Sequence, residues 1–276
     1  MIKIMVDSAS DCRNQRELYD IFVPITVDID ERTYQDGIDL DNDSFYGLLP
    51  TAQAFPKTSQ PSPDDYLRIF KDAKKSGDEI LYFALSSGLS GTYQGACIAK
   101  QMAEYDGIYI IDSLAASHMI GILAQHARKL IADGQTAAQI AAACQELKHR
   151  VTLFAALDTL EYLYKGGRLS RASAAVGSLA GIKPIITITQ EGSVSNCGKA
   201  IGMNRAIQML TDKLEELVLD DHFPVYSLYT CGMENVEKLE QKLSAAGHPT
   251  AQRLQVGPTV GAHIGPGACG VLFVTK

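Results

Sequence analysis

Short apolar runs alternate with amphipathic stretches through the first half of the chain. Ile2–Val6, Ile80–Leu85 and Ile108–Ile111 each read as a buried strand. Each runs into a polar turn: Asp7-Ser-Ala-Ser-Asp11, Ser86-Ser87 and Asp112-Ser113. Strands that are apolar on both faces and alternate with helices indicate a mostly parallel sheet covered on both sides. Helices are expected at Pro63–Ser76, Gly91–Glu104, Ser117–Asp133 and Thr136–Arg150, the last two rich in alanine with Gly134 as a stop between them. Ligands of such sheets bind beyond the strand C-termini, so the three polar turns are expected on one functional edge.

After Arg150 the texture changes. Val151–Leu157 reads as a strand, Asp158–Lys165 as a short helix and Lys165-Gly-Gly-Arg168 as a break. A helix is expected over Ser173–Leu179, then a strand over Ile182–Thr189 whose Pro184 suits a strand start or a sheet edge. Gln190-Glu-Gly-Ser193 is a hairpin turn and Val194–Lys199 the return strand. Helix Asn204–Leu217, strand Val225–Thr230, helix Asn235–Ala246 and strand Gly270–Val274 complete the pattern. The expected fold class is α/β, with an N-terminal α/β domain over residues 1–160 and a C-terminal one over 161–276.

A chain of 276 residues is long enough for two medium domains. Its net charge of -7 argues against nucleic acid as the main partner, because phosphate neutralisation needs a basic face. The six cysteines are scattered, with neither C-x-x-C nor metal-ligand spacing. Met1 leads straight into a strand, without a basic segment followed by an apolar one, and no apolar run reaches the roughly 20 residues of a membrane span. A cytoplasmic protein is expected.

The richest stretch is Leu81–Gln94, a strand entering a Ser/Gly turn that opens a helix. The first N–H groups of a helix lack partners and favour an anion. Ser86, Ser87, Ser90 and Thr92 add hydroxyls, so a neutral, donor-rich anion cradle is expected. No lysine follows the glycines, which removes the phosphate-loop pattern, and Gly88-Leu-Ser-Gly91 fails G-x-G-x-x-G. In Thr58-Ser-Gln-Pro-Ser-Pro63, helix entry accounts for Ser62 and Pro63 but leaves Thr58 and Ser59 free for the same anion. Asp7, Asp11 and Asp112 read either as caps or as groups that orient donors in the crevice. His263 stands out because Gly257–Gly267 reads as an ordered, glycine- and proline-rich loop near a ligand or another strand. Lys165, Arg168 and Arg171 form a basic cluster suited either to solvent or to a phosphate.

Taken in order, these motifs resemble the DegV family: Asp7–Asp11, Thr58–Ser62, Ser86–Gln94, Ile111-Asp-Ser-Leu114, Gly166-Gly-Arg-Leu-Ser170, Lys183-Pro-Ile185 and Gly265-Pro-Gly267. The resemblance covers essentially the whole chain. It implies two α/β domains enclosing one long-chain fatty acid in a buried tunnel, with no other cofactor. It also implies that the acyl carboxylate is presented to a separate ATP-dependent fatty acid kinase, which makes an acyl phosphate for phospholipid synthesis. The protein would be a carrier without catalytic residues, with at most transient membrane-surface contact. Residue by residue, it implies that Thr58, Ser90 and the Gly91 N–H bind the carboxylate, with His263 beside it. Arg168 would meet phosphate or the kinase. Family members carry a basic run after the hairpin, of which only Lys199 and Arg205 remain in Gly198–Arg205. Two other readings stay open: a serine hydrolase with Ser90, His263 and Asp112, and a phosphotransfer domain of the dihydroxyacetone kinase type using His263.

Overall fold

The computed structural model describes residues 1–169 and 181–276. The expected helix Ser173–Leu179, together with Ser170 and Arg171, lies outside the described residues.

The first sheet has four parallel strands, in the order β2 (Ile21–Val23), β1 (Ile2–Asp7), β6 (Glu79–Ala84) and β7 (Ile108–Asp112). Alternate side chains of β1 and β6 point to opposite faces, and both faces are apolar. Met5, Ile80 and Tyr82 pack with Tyr66, Phe70, Ala96 and Ala99 of α2 (Pro63–Ser76) and α3 (Thr92–Ala103). Ile4, Val6, Leu81 and Phe83 pack with Met119, Leu123 and Ile140 of α4 (His118–Ala132) and α5 (Ala137–Leu147). The start of α2 follows the expected chemistry, with Ser62 and Asp65 forming a reciprocal capping box and Pro63 in the first turn.

The second sheet runs β10 (Val194–Ile201), β9 (Ile182–Ile188), β8 (Val151–Ala156), β13 (Cys269–Val274), β11 (Tyr226–Tyr229) and β12 (Gln252–Gln255). All neighbours are antiparallel except β11 and β12. Its strand β8 ends before residue 160, so the chain leaves the first sheet at Asp112 and enters the second at Val151. The division at residue 160 thus falls after the second sheet has begun, because β8 is its pairing partner for both β9 and β13. Pro184 sits in a strand with neighbours on both sides. It is tolerated because β8 pairs with β9 only at Ile185 and Ile186, and the Pro184 carbonyl accepts the N–H of Leu157 just past the end of β8. One face of this sheet is covered by α7 (Met203–Glu215) and α8 (Glu234–Ala245) through Ile207, Leu210, Leu239 and Leu243. The other face, with Leu153, Ala155, Ile186 and Leu228, belongs to the same core as α4.

A three-stranded antiparallel ribbon, β4 (Arg32–Gln35), β3 (Thr26–Ile29) and β5 (Lys57–Ser59), lies between these units. It packs with α1 (Asn42–Leu48) and with α9 (Pro258–Ile264) around Val27, Phe45, Tyr46 and Ala262. The stretch expected to be an ordered loop, Gly257–Gly267, is thus built around a short helix. Pro258 starts α9, and Gly261 allows it to lie against α1: a Cβ there would sit 2.6 Å from Tyr46 Oη and 2.9 Å from Phe45 Cε1. A short helix, α6 (Glu161–Lys165), abuts α9.

Candidate functional site

Strand β5 carries Thr58 on the ribbon and α9 carries His263 near its C-terminus. Although 205 positions apart, Thr58 Oγ1 and His263 Nε2 meet at 2.8 Å. The imidazole is wedged from the other side, since a Cβ at Gly166 would lie 2.3 Å from its Nδ1. Gly265, at φ +74, lets the Tyr162 ring close over the end of α9. Burial first, and then the Arg168 charge, push the His263 pKa down to about 4, so the ring is neutral near pH 7. Its Nδ1 is buried with no hydrogen-bond partner among the described residues. A buried acceptor without a partner costs less than an orphaned N–H, which favours the tautomer with hydrogen on Nε2. That tautomer donates to Thr58 Oγ1 and leaves the threonine hydroxyl hydrogen free to bond a ligand.

Arg168 ties two turns together. Its Nε donates to the Leu89 carbonyl at 3.1 Å and its Nη1 to the Gly166 carbonyl at 2.5 Å. Its guanidinium is thereby brought next to His263 and to the turn that carries Ser90. Ser90 Oγ lies 2.9 Å from Thr92 Oγ1 and accepts the Thr92 N–H, fixing the entry to α3 with Gly91 at its N-cap. The wider cradle of hydroxyls is not formed as expected. Ser86 is fully buried and donates to the Gly192 carbonyl of the β9–β10 hairpin, Ser87 is exposed, and Thr92 is buried against Ser90. Only Ser90 of these four lines the cavity described next.

Thr58, Ser90, Gly91, Arg168 and His263 all line one cavity of about 430 Å³, together with the expected Ser59. This volume falls within the ~300–1,000 Å³ of small-molecule sites. Its apolar walls come from both units: Leu85, Leu89 and Ala116 from the first, Leu153, Ala155, Ile186 and Leu228 from the second sheet. Other hydroxyls in the lining are already engaged: Ser117 with Asp11, Thr259 with Asp36, and Thr230 Oγ1 with the Ala268 N–H. The result is an apolar chamber with one concentrated set of polar donors beside a neutral histidine and a guanidinium. Such a chamber suits a ligand with an anionic head and a long apolar body.

The sequence model of the DegV family, described as a family of uncharacterised proteins, matches residues 1–276. The chain belongs to the DegV family. A DegV domain-containing protein of Caldanaerobacter subterraneus subsp. tengcongensis is 34% identical over 279 residues, covering 100% of this chain and 99% of that one. Two solved structures are similar throughout. One, a fatty acid binding DegV family protein from Streptococcus agalactiae, has a TM-score of 0.91 at 25% identity, covering 100% of this chain and 99% of that one. The other, from Thermus thermophilus and described by its fatty acid binding, has a TM-score of 0.88 at 29% identity with the same coverage.

Other expected residues of this DegV protein lie elsewhere. Lys199 on β10 and Arg205 in the first turn of α7 are exposed and do not line the cavity. The hydrolase triad is not assembled. Asp112 Oδ1 accepts the N–H groups of Ser87 and Leu114, while His263 Nε2 is engaged by Thr58. For phosphotransfer, His263 Nδ1 is buried and Nε2 is hydrogen-bonded to Thr58 Oγ1. Among the described residues, no group of three or more His, Cys, Asp or Glu could hold a metal ion, and no helix is long and apolar enough to cross a membrane.

Asp7, Asp11 and Asp36 prove to be structural groups behind the cavity wall. Asp7 accepts from Ala9 N, Leu85 N and Tyr82 Oη, and Asp36 accepts from the N–H and hydroxyl of Thr259. Burial is the main cause that raises Asp7 and Asp36 to about 6, and it raises Asp11 well above the carboxylate range. The stability contributed by Asp36 is therefore full below about 3.8 and is lost as pH rises through about 6. His263 and His118, both lowered to about 4, act in the opposite sense: their contribution is lost as pH falls from about 6.5 to 4. The expected result for Asp36→Asn is a stability difference from wild type that moves in favour of the variant between pH 4 and pH 7. Urea unfolding at the two pH values measures it, and a pH-independent difference contradicts the shift.

Proposed function

We propose that this protein binds a single long-chain fatty acid, with the carboxylate at Thr58, Ser90, the Gly91 N–H and His263 and the acyl chain in the apolar cavity. The observation that carries this reading is the Thr58–His263 pair at the polar part of an otherwise apolar chamber. Supporting it, structural relatives at 25% and 29% identity are described as fatty-acid-binding, as is a stearic acid-binding protein from Eubacterium ventriosum at 26% identity and TM-score 0.85. Burying about 14 methylenes at ~0.8 kcal/mol each yields roughly 11 kcal/mol before costs. Lost ligand freedom removes several kcal/mol or more of this, so the net is smaller. The Arg168 charge favours the ionised carboxylate, and the neutral histidine adds no second charge to be desolvated.

On this reading the protein is a cytoplasmic carrier, touches membranes only transiently, and has no catalytic residues of its own. It presents the carboxylate to a separate ATP-dependent fatty acid kinase that forms an acyl phosphate for phospholipid synthesis. The exposed Lys199 and Arg205 lie outside the cavity, where a partner can reach them. Thr58→Ala and Ser90→Ala should each weaken binding by about 1–2 kcal/mol, read by titration with palmitate or oleate. Unchanged affinity in both variants removes the carboxylate assignment. Lys199→Ala combined with Arg205→Ala should keep fatty acid binding and slow acyl phosphate formation by the kinase. An unchanged rate removes those two residues from the partner surface.

A further inference from the structure

Gln60 follows β5 on the way to α2 and was not among the residues expected to touch a ligand. It lines the cavity while remaining exposed to solvent, so it stands at the boundary between the two. Its carboxamide lies flat along the first turn of α3. A Cβ at Gly91 would meet Gln60 Oε1 at 2.1 Å and its Nε2 at 3.2 Å, and a Cβ at Gly95 would sit 3.7 Å from the same Nε2. The two glycines, four residues apart on one helix face, form the trough that holds this side chain. The following residue, Pro61, is buried and fixes where the side chain departs.

A carboxylate presents about four acceptor sites, and a buried one is costly unless they are filled. Thr58, Ser90 and the Gly91 N–H fill three. Gln60 is the remaining cavity-lining side chain already lying against Gly91, and its amide supplies two donors without adding a charge. We propose that Gln60 is a further head-group residue, whose carboxamide closes the cavity over Gly91 and, flipped about its last side-chain bond so that Nε2 takes the place Oε1 holds beside Gly91, donates an N–H to the outer oxygen of the bound carboxylate. This inference rests on the fatty acid reading and adds a residue that helps to distinguish an acid from an uncharged lipid of equal length.

The test compares palmitate with hexadecanol, whose tails match, by displacement of a fluorescent fatty acid. Gln60→Ala should lower palmitate affinity by about 2- to 10-fold and leave hexadecanol within about twofold. Gln60→Glu should lower palmitate affinity at least about tenfold, through like-charge repulsion, and hexadecanol far less. Gly91→Ala, compatible with the observed φ of -75°, should push the carboxamide aside. Its effect should then be non-additive with Gln60→Ala. A palmitate-to-hexadecanol ratio that is the same in wild type and in both Gln60 variants overturns the inference while leaving fatty acid binding intact. Wild-type protein that binds no palmitate overturns the fatty acid reading itself, and the role of Gln60 with it.

Discussion

Replacing Gly166 by alanine should cost the protein at least about tenfold in fatty acid affinity, equivalent to about 1.4 kcal/mol, with little change in fold stability. The backbone at this position, φ -74° and ψ -10°, suits any residue, so the requirement for glycine is steric. An added methyl would stand 2.3 Å from His263 Nδ1 and 3.0 Å from the Tyr162 carbonyl. The carbonyl is held, because it accepts the Gly166 N–H at 2.8 Å. The imidazole must therefore give way, and with it the bond to Thr58 that aims the threonine hydroxyl at the ligand. Palmitate titration together with thermal unfolding separates the two effects. Unchanged affinity would show that the position of His263 is immaterial to the head-group site.

A second large effect is expected at Asp7, this time on folding. Asp7→Ala leaves the N–H groups of Ala9 and Leu85 without their acceptor and the Tyr82 hydroxyl with only Tyr66 Oη, 3.1 Å away, all in the interior. Unpaired buried donors cost about 1–3 kcal/mol each, so a loss of about 3–5 kcal/mol is expected in urea unfolding. Asp7→Asn, which keeps one acceptor oxygen, should lose less. A loss below about 1 kcal/mol for the alanine variant contradicts the network. Asp7 ends β1 and holds Leu85 at the end of β6, so it sets the strand edge from which the Ser90 turn departs.

The parallel sheet and its helices were legible because their signal is local. The period of the apolar positions placed α2 over the same residues the structure gives it, and β1, β6 and β7 within one residue at either end. The ribbon was not legible. Strands β3 and β5 have four and three residues, and Val27 is paired with Thr58 far along the chain, so no periodic run announces them. Helix α9 was hidden for the opposite reason: Gly261 lowers its helix propensity, Gly257 and Gly265 flank its seven residues, and what holds it is contact with Phe45 and Tyr46. Of the site, Thr58, Ser90, Gly91, Arg168 and His263 all line the cavity. Ser86 carried the same hydroxyl signal as Ser90, yet it serves the hairpin, because only tertiary structure brings the Gly192 carbonyl to within 2.7 Å of it. Gln60 lay inside a motif already in view, and nothing in the sequence separates it from the residues that cap α2.

Fatty acid binding is tested most directly by native mass spectrometry of the protein purified from cells, followed by denaturing extraction of whatever it carries. One equivalent of a long-chain fatty acid per chain is expected, released on unfolding and identified by its mass. Protein that remains empty after purification, and still empty after incubation with palmitate and oleate, would contradict it.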